Sequence, residues 1–349
     1  MKAAPAHIWI VSPALADANN GNWQTARRWA HFLRTRYRVT LTGQWPNSDS
    51  NSNSDSVPSS HSAPSRPGKR HDRDSPDLLI ALHARRSAGS LAAYASAFPD
   101  RPSVLILTGT DLYRDIATDS TAQQALRSAS ALVLLQPAGV AELPSDVRAK
   151  TGVIYQSAPM LKAGPVPQRS FDVCMIGHLR IEKDPATFMR ASALLKLGKP
   201  GRIRMIHIGG ALDAELGALA KTTEAENSHY RWLGAMRHAP TRQRLKRCHL
   251  MAITSSMEGG ANVIIEAVTS GVAVVASKIS GNVGMLGDDY AGYFAPGDAA
   301  ALARLIERCA DDARFHTLLQ QQCALRAQLF APEAEKTVLL KLMDNLLQK

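Results

Sequence analysis

Two carboxylates in the stretch SSMEGGANVIIEAVTSGVAVVAS, residues 255–277, frame the chemistry of this chain. Glu266 falls between Ile264, Ile265, Ala267 and Val268 in a segment with helical spacing. A buried carboxylate without a partner is strongly destabilising or gives up its charge. Two adjacent hydroxyls, as on a ribose, would supply the partner; a structural Glu–Arg pair is the plain alternative. Glu258 stands just before Gly259, Gly260 and Ala261, which open the same helix. That opening leaves the first amides, those of Asn262 and Val263, free for a phosphate. Glu258 would then face whatever is attached beyond the phosphates.

Cations lie where such a ligand needs them. In GHLRIEKDP, residues 177–185, Gly177 ends an apolar strand, Asp184 is a plausible helix N-cap and Pro185 a good first helical residue. Arg180 and Lys183 therefore sit on a strand-to-helix loop and suit a diphosphate, although a solvated loop would look the same. Gly209 and Gly210 in HIGGAL, and Gly234 in RWLGAMRH, also end strands, where bare backbone lets a nucleotide approach closely.

The elements that position these residues follow from the apolar pattern. HIWIVS, RVTLTG, DLLIAL, SVLILT and ALVLL read as strands separated by helical spacing, with NWQTARRWAHFLRTR the first helix. A Pro- and Gly-containing joint, SAPMLKAGPVPQRS, interrupts at residues 157–170. The pattern restarts with FDVCMIG, RIRMIHIG, YRWLG, LMAIT and VAVVAS as strands around the helices PATFMRASALLKL and DAELGALAK. Continuous apolar strands alternating with helices imply α/β architecture with parallel sheets covered on both faces. Two such sets predict two doubly wound domains, over 1–160 and 170–330, with ligands beyond the carboxyl ends of the strands in the cleft they face. The helical C-terminus, 331–349, is expected to pack back on the first domain.

Bulk properties limit the alternatives. The 349 residues carry 41 basic and 30 acidic side chains, a formal charge of +11. In the Ser-, Asn- and Pro-rich tract 46–76, Arg66, Lys69, Arg70 and Arg73 cancel Asp49, Asp55, Asp72 and Asp74, so the excess belongs to the folded parts. That tract reads as a disordered insertion. A basic folded protein attracts anions. Cys174, Cys248, Cys309 and Cys323 are scattered without a C-x-x-C, which argues against zinc or a disulfide frame and suits a reducing cytoplasm. No stretch approaches a membrane span. A recognition helix or aromatic-basic platform for nucleic acid is lacking as well.

The first domain presents three polar turns at strand ends. Asn20, Gly21 and Asn22 precede a helix and can form an anion nest. His83 is followed by Arg85 and Arg86, and Thr108, Gly109, Thr110 and Asp111 close the next strand. Exposed amides and arginines of this kind suit a small anion more than a lipid or a long glycan.

Taken in order, a strand followed by Gly177 and Lys183, a strand ending in Leu233-Gly234, and Glu258 and Glu266 in an E-x7-E before GVAVVA resemble the nucleotide-sugar domain of retaining GT-B glycosyltransferases of family 4. The resemblance covers most of residues 171–300 and implies the GT-B fold, two Rossmann-like domains. By it, Lys183 and Arg180 hold the donor diphosphate, Glu258 meets sugar hydroxyls, Glu266 meets the ribose, and Gly234, Ala235 and Met236 lie near the base. One position departs: the family usually has Arg immediately after the glycine that ends the domain's first strand, and here it is His178. Either Arg180 takes over that charge or His178 serves a different acceptor; a structural histidine is the other reading.

More narrowly, NNGNWQTARRW, LHARRSA and LTGTDLYRD are similar to the selenosugar synthases of selenoneine biosynthesis. That resemblance implies selenophosphate and a UDP-sugar, typically UDP-N-acetylglucosamine, as substrates; no metal or other cofactor is expected, because cations and the helix terminus already neutralise the diphosphate. His83 or Asp111 would assist the loss of phosphate that follows. A family-4 enzyme acting on a lipid or glycan at a membrane surface, and a non-catalytic nucleotide-sugar sensor, are the rival readings.

Overall fold

The computed structural model describes residues 4–15, 21–46, 75–195 and 202–348. The chain divides into two units. One comprises residues up to Leu134, Glu142–Val153 and the chain from Lys336; the other comprises Leu135–Ala141 and Ile154–Glu335. The low-complexity tract lies outside the described residues over 47–74.

The first unit holds six parallel strands: β1 (His7–Val11), β2 (Arg38–Thr42), β3 (Leu78–Leu82), β4 (Ser103–Ile106), β5 (Ala131–Leu134) and β6 (Thr151–Val153). Their order is β2-β1-β3-β4-β5-β6, so the chain reverses direction across the sheet between β1 and β3. Leu78–Leu82 is buried at every position, as a central parallel strand covered by helices on both faces should be. The helix Gly21–Leu33 buries Ala26, Trp29, Ala30 and Leu33, while Trp23 is half-buried. Near the chain end, Asp344 takes hydrogen bonds from Arg36 (2.7 Å) and Tyr37 (2.5 Å) within this unit.

The second unit repeats the plan with β7 (Phe171–Ile176), β8 (Ile203–Ile208), β9 (Tyr230–Trp232), β10 (Leu250–Ile253), β11 (Ala273–Ser277) and β12 (Tyr293–Phe294). All are parallel, in the order β12-β11-β10-β7-β8-β9. The reversal here falls between β7 and β10, which makes the loops after those strands the walls of the crevice where doubly wound sheets bind ligands. Asp184 caps the helix Pro185–Leu194 by accepting from the Thr187 amide at 3.2 Å, with Pro185 in the first turn. Two short edge strands, β6 and β12, escape the apolar pattern because three and two residues are too few to show one.

His207 on β8 fixes the loop that follows β7. Its ring is fully buried. The Gly177 carbonyl, 3.1 Å away, can only accept, so Nε2 carries the proton and Nδ1 accepts from the Tyr230 hydroxyl at 2.9 Å. Burial pushes the His207 pKa down to about 4. The unfolded chain therefore takes up this proton first as pH falls, and stability is lost from about pH 6.5 downward toward the folded value. Between pH 7 and pH 5 this group alone should remove roughly 2 kcal/mol from the second unit. Denaturant titrations at the two pH values, with His207→Gln as reference, measure it. An equal drop in both proteins would contradict the assignment.

Candidate functional site

Three loops converge at the carboxyl end of the second sheet. Gly177 and His178 follow β7, Gly209 and Gly210 follow β8, and Gly234 and Ala235 follow β9. The Gly234 carbonyl accepts from the Gly209 amide at 2.8 Å, and the Gly210 amide donates to His178 Nδ1 at 3.0 Å. A Cβ on Gly209 would overlap the Gly177 carbonyl, so only glycine permits this approach. Burial, together with the Arg180 and Lys183 charges, lowers the pKa of His178. The neutral ring, accepting at Nδ1, carries its proton on Nε2 and offers it as a donor. Arg180 is exposed.

Lys183 and Glu258 come from the two loops at the reversal of the sheet. The turn Ile181–Lys183 is held down by the Thr254 hydroxyl on the Lys183 carbonyl (2.9 Å) and by the Ser256 amide on Glu182 (3.0 Å). Lys183 Nζ then reaches Glu258 Oε1 at 2.5 Å, and the Ser255 hydroxyl donates to the same oxygen at 2.6 Å. Side chains 17% and 10% exposed make this a largely desolvated pair. Gly281 packs on the Glu258 backbone so closely that a Cβ would collide with its carbonyl.

Asn262 and Val263 open the helix Asn262–Val268, whose N-cap, Ala261, offers no side-chain oxygen. Gly259 is buried, and Gly260 packs against Leu135. Met236 and Val263 rest half-buried against the apolar core of the unit. Glu266 is buried with a protein partner that its sequence surroundings do not reveal. His238 Nε2 lies 2.6 Å from its Oε1. The nearby Arg242 guanidinium, itself buried, donates to the Pro159 carbonyl (3.0 Å) and the Thr269 hydroxyl (3.2 Å).

In the first unit His83 and Asp111 are neighbours with different partners. Asp111 is fully buried and accepts three backbone amides: Thr108 (2.9 Å) and Gly109 (2.8 Å) on Oδ1, and Ala84 (2.9 Å) on Oδ2. The expectation that the Thr108 and Gly109 amides face an anionic ligand is corrected: the protein's own carboxylate fills that nest. Asp111 thereby ties the loop after β3 to the loop after β4 and cannot also act on a phosphate. His83 instead faces Thr110, with Nε2 3.1 Å from its hydroxyl, and the carboxylate within ion-pair distance of its ring is Asp115, at 3.9 Å. Arg85 pairs with that same Asp115 oxygen at 3.1 Å. Burial lowers the pKa of His83, partly offset by Asp111. Its backbone is left-handed, φ +72°, a strained state for a residue other than glycine. Arg85 and Arg86 are exposed, Gly21 and Asn22 begin their helix, and Asn20 lies outside the described residues.

Among the described residues no helix is long and apolar enough to cross a membrane. All four cysteines are free and buried.

Residues 160–327 match the family model of glycosyl transferases group 1. No curated protein matches the sequence. Among solved structures, Anabaena Alr3699/HepE in complex with UDP and glucose aligns over 97% of this chain and 100% of its own, at 18% identity and a TM-score of 0.72. Sucrose-phosphate synthase from Thermosynechococcus elongatus aligns over 98% and 99%, at 18% identity and a TM-score of 0.76. The UDP-forming α,α-trehalose-phosphate synthase from Burkholderia xenovorans, in complex with glucose-6-phosphate, aligns over 78% and 73%, at 11% identity and a TM-score of 0.62. At these identities the likeness is one of fold. The chain thus has the GT-B fold, and the part of it that resembles glycosyl transferases group 1 in sequence is residues 160–327.

Proposed function

We propose that this protein is a glycosyltransferase that joins selenophosphate to a UDP-sugar, UDP-N-acetylglucosamine foremost, giving a 1-seleno-sugar, UDP and phosphate. The observation that carries the donor half is the desolvated Lys183–Glu258 pair at the reversal of the second sheet. An ammonium has three donors, and Glu258 takes one; the other two, with Arg180, suit a diphosphate. Lys183 and Ser255 both donate to Oε1 of Glu258, and its other oxygen, Oε2, suits sugar hydroxyls. Support for UDP as the nucleotide is that Alr3699/HepE has been solved with UDP-glucose. Glu266 takes the ribose in this reading, and Gly234, Ala235 and Met236 take the base.

Support for the acceptor half is the resemblance of three first-unit stretches to selenosugar synthases, together with the exposed Arg85 and Arg86. These arginines and the Thr110 hydroxyl remain as anion-binding groups once Asp111 has filled its own nest. The selenium of selenophosphate is anionic and soft, so it attacks the anomeric carbon without a base. The bond from that carbon to the β-phosphate oxygen breaks, and UDP leaves with the electron pair. Lys183 and Arg180 stabilise the leaving charge. Water then cleaves the selenium–phosphorus bond of the phosphoseleno-sugar and releases phosphate. His83 is the group left to assist that hydrolysis. The chemistry calls on no metal, because cations already neutralise the diphosphate, and a reducing cytoplasm keeps the selenol product intact.

Mass spectrometry tests the reading. Purified protein is incubated with UDP-N-acetylglucosamine and fresh selenophosphate in the presence of a chelator, beside a control lacking selenium. A sugar with the selenium isotope pattern, formed together with UDP, is expected. UDP-sugar binding without a selenium product would remove the acceptor half and leave the donor half standing.

A further inference from the structure

His238 belongs to no part of the machinery named so far, yet it makes the closest contact to Glu266, a buried carboxylate of the second unit. Glu266 lies on a helix whose neighbouring side chains, Ile264, Ile265, Ala267 and Val268, are all buried. Its terminal torsion belongs to the broad kind that has no sharp staggered wells. Something must fix the plane of the carboxylate if it is to meet a pair of hydroxyls. Nε2 of His238, 2.6 Å from Oε1, does so. A carboxylate oxygen accepts, so Nε2 carries the proton. The imidazole is 47% exposed and the Glu266 side chain 12%, so the ring covers Oε1 from the solvent side. No described residue hydrogen-bonds to Oε2.

The position of His238 in the chain matters equally. It begins the helix His238–Leu245, two residues beyond Met236. The loop that carries Gly234, Ala235 and Met236 is therefore pinned by His238 to the helix that carries Glu266. The two elements that the donor-site reading assigns to base and ribose are thus clamped together by this hydrogen bond.

We propose that His238 is a positioning residue for Glu266, and that this pair sets the preference for ribonucleotide over 2′-deoxyribonucleotide diphosphates. The inference rests on the donor-site reading above. In this arrangement one ribose hydroxyl donates to Oε2 and the other to the remaining lone pair of Oε1. Loss of the imidazole frees the carboxylate to rotate, and a ligand lacking the 2′-hydroxyl then has less to lose.

Calorimetric titration of the full chain with UDP and with 2′-deoxy-UDP gives a ratio of dissociation constants for each variant. The wild-type protein should favour UDP by about tenfold or more, the scale of a hydrogen bond to a charged group. In His238→Ala the ratio should fall to within about threefold, whereas His238→Gln, which keeps an N–H donor, should retain most of it. Thermal denaturation checks that each variant is folded. His238→Asn, too short to reach Oε1, repeats the test if the alanine variant unfolds. A merely structural histidine would weaken both ligands alike, so an unchanged ratio in the alanine or asparagine variant overturns the proposal. If the wild-type protein discriminates but Glu266→Ala discriminates equally, the ribose contact lies elsewhere and the donor-site reading fails first. A wild-type protein that binds no UDP overturns both.

Discussion

Replacing Lys183 with alanine should lower kcat/KM for UDP-sugar turnover by about a hundred- to a thousandfold, the usual cost of removing one preorganised donor from a developing negative charge. Glu258→Ala should lose a comparable factor. The two side chains touch at 2.5 Å and share the Ser255 hydroxyl through Glu258, so they act as a unit. The double variant is therefore expected to lose little beyond the worse single variant, because effects within such a unit do not add. Either single change also strands a partner in a largely desolvated place, which lowers stability as well. Assays must therefore run well below each variant's midpoint, with circular dichroism as the check on folding. Lys183→Arg should recover only a small part of the rate, because a planar guanidinium does not occupy the place of a compact ammonium. Near wild-type turnover in both alanine variants would remove the pair from the reaction.

The largest effect on stability is expected at Asp111, which touches no ligand in this account. Its carboxylate accepts from three amides on two loops, and Asp111→Ala leaves all three without an acceptor. The Ala84 and Gly109 amides are buried and the Thr108 amide is part-buried; each stranded buried donor costs about 1–3 kcal/mol, so a loss of at least about 2 kcal/mol in the first unit is expected. Asp111→Asn keeps one acceptor oxygen and should fall between the alanine variant and the wild type. Differential scanning calorimetry gives the midpoint of the first unit. Hydrogen exchange at Ala84, Thr108 and Gly109 should quicken together. An unchanged midpoint with unchanged exchange at those amides would contradict the stitching role.

What could be read in the sequence depended on whether the signal was local. Parallel strands buried on both faces leave apolar runs such as LLIAL and AVVAS, and these gave the two-sheet α/β architecture directly. The cap at Asp184 was equally legible, since Asp followed by Pro at a strand-to-helix junction carries its own geometry. The partner of Glu266 was not legible. His238 lies 28 residues away at the start of another helix, and a histidine in RWLGAMRHAP gives no sign of it. Asp111 misled for the reverse reason. An acidic residue in a polar turn looks available for chemistry, and only the fold shows that Ala84, 27 residues earlier, is one of its ligands. The nearby Asp115 was passed over because LTGTDLYRD reads only as the turn that closes a strand, whereas Asp111–Asp115 forms a wide π-turn that directs Asp115 toward His83 and Arg85.

The central claim is that a carbon–selenium bond forms at the anomeric centre. UDP-N-acetylglucosamine labelled with carbon-13 at that carbon, incubated with the protein and selenophosphate, tests it by selenium-77 NMR. The account predicts a selenium resonance split by one-bond coupling to the label, appearing as UDP accumulates. Release of the labelled sugar with no selenium resonance coupled to it would contradict the account.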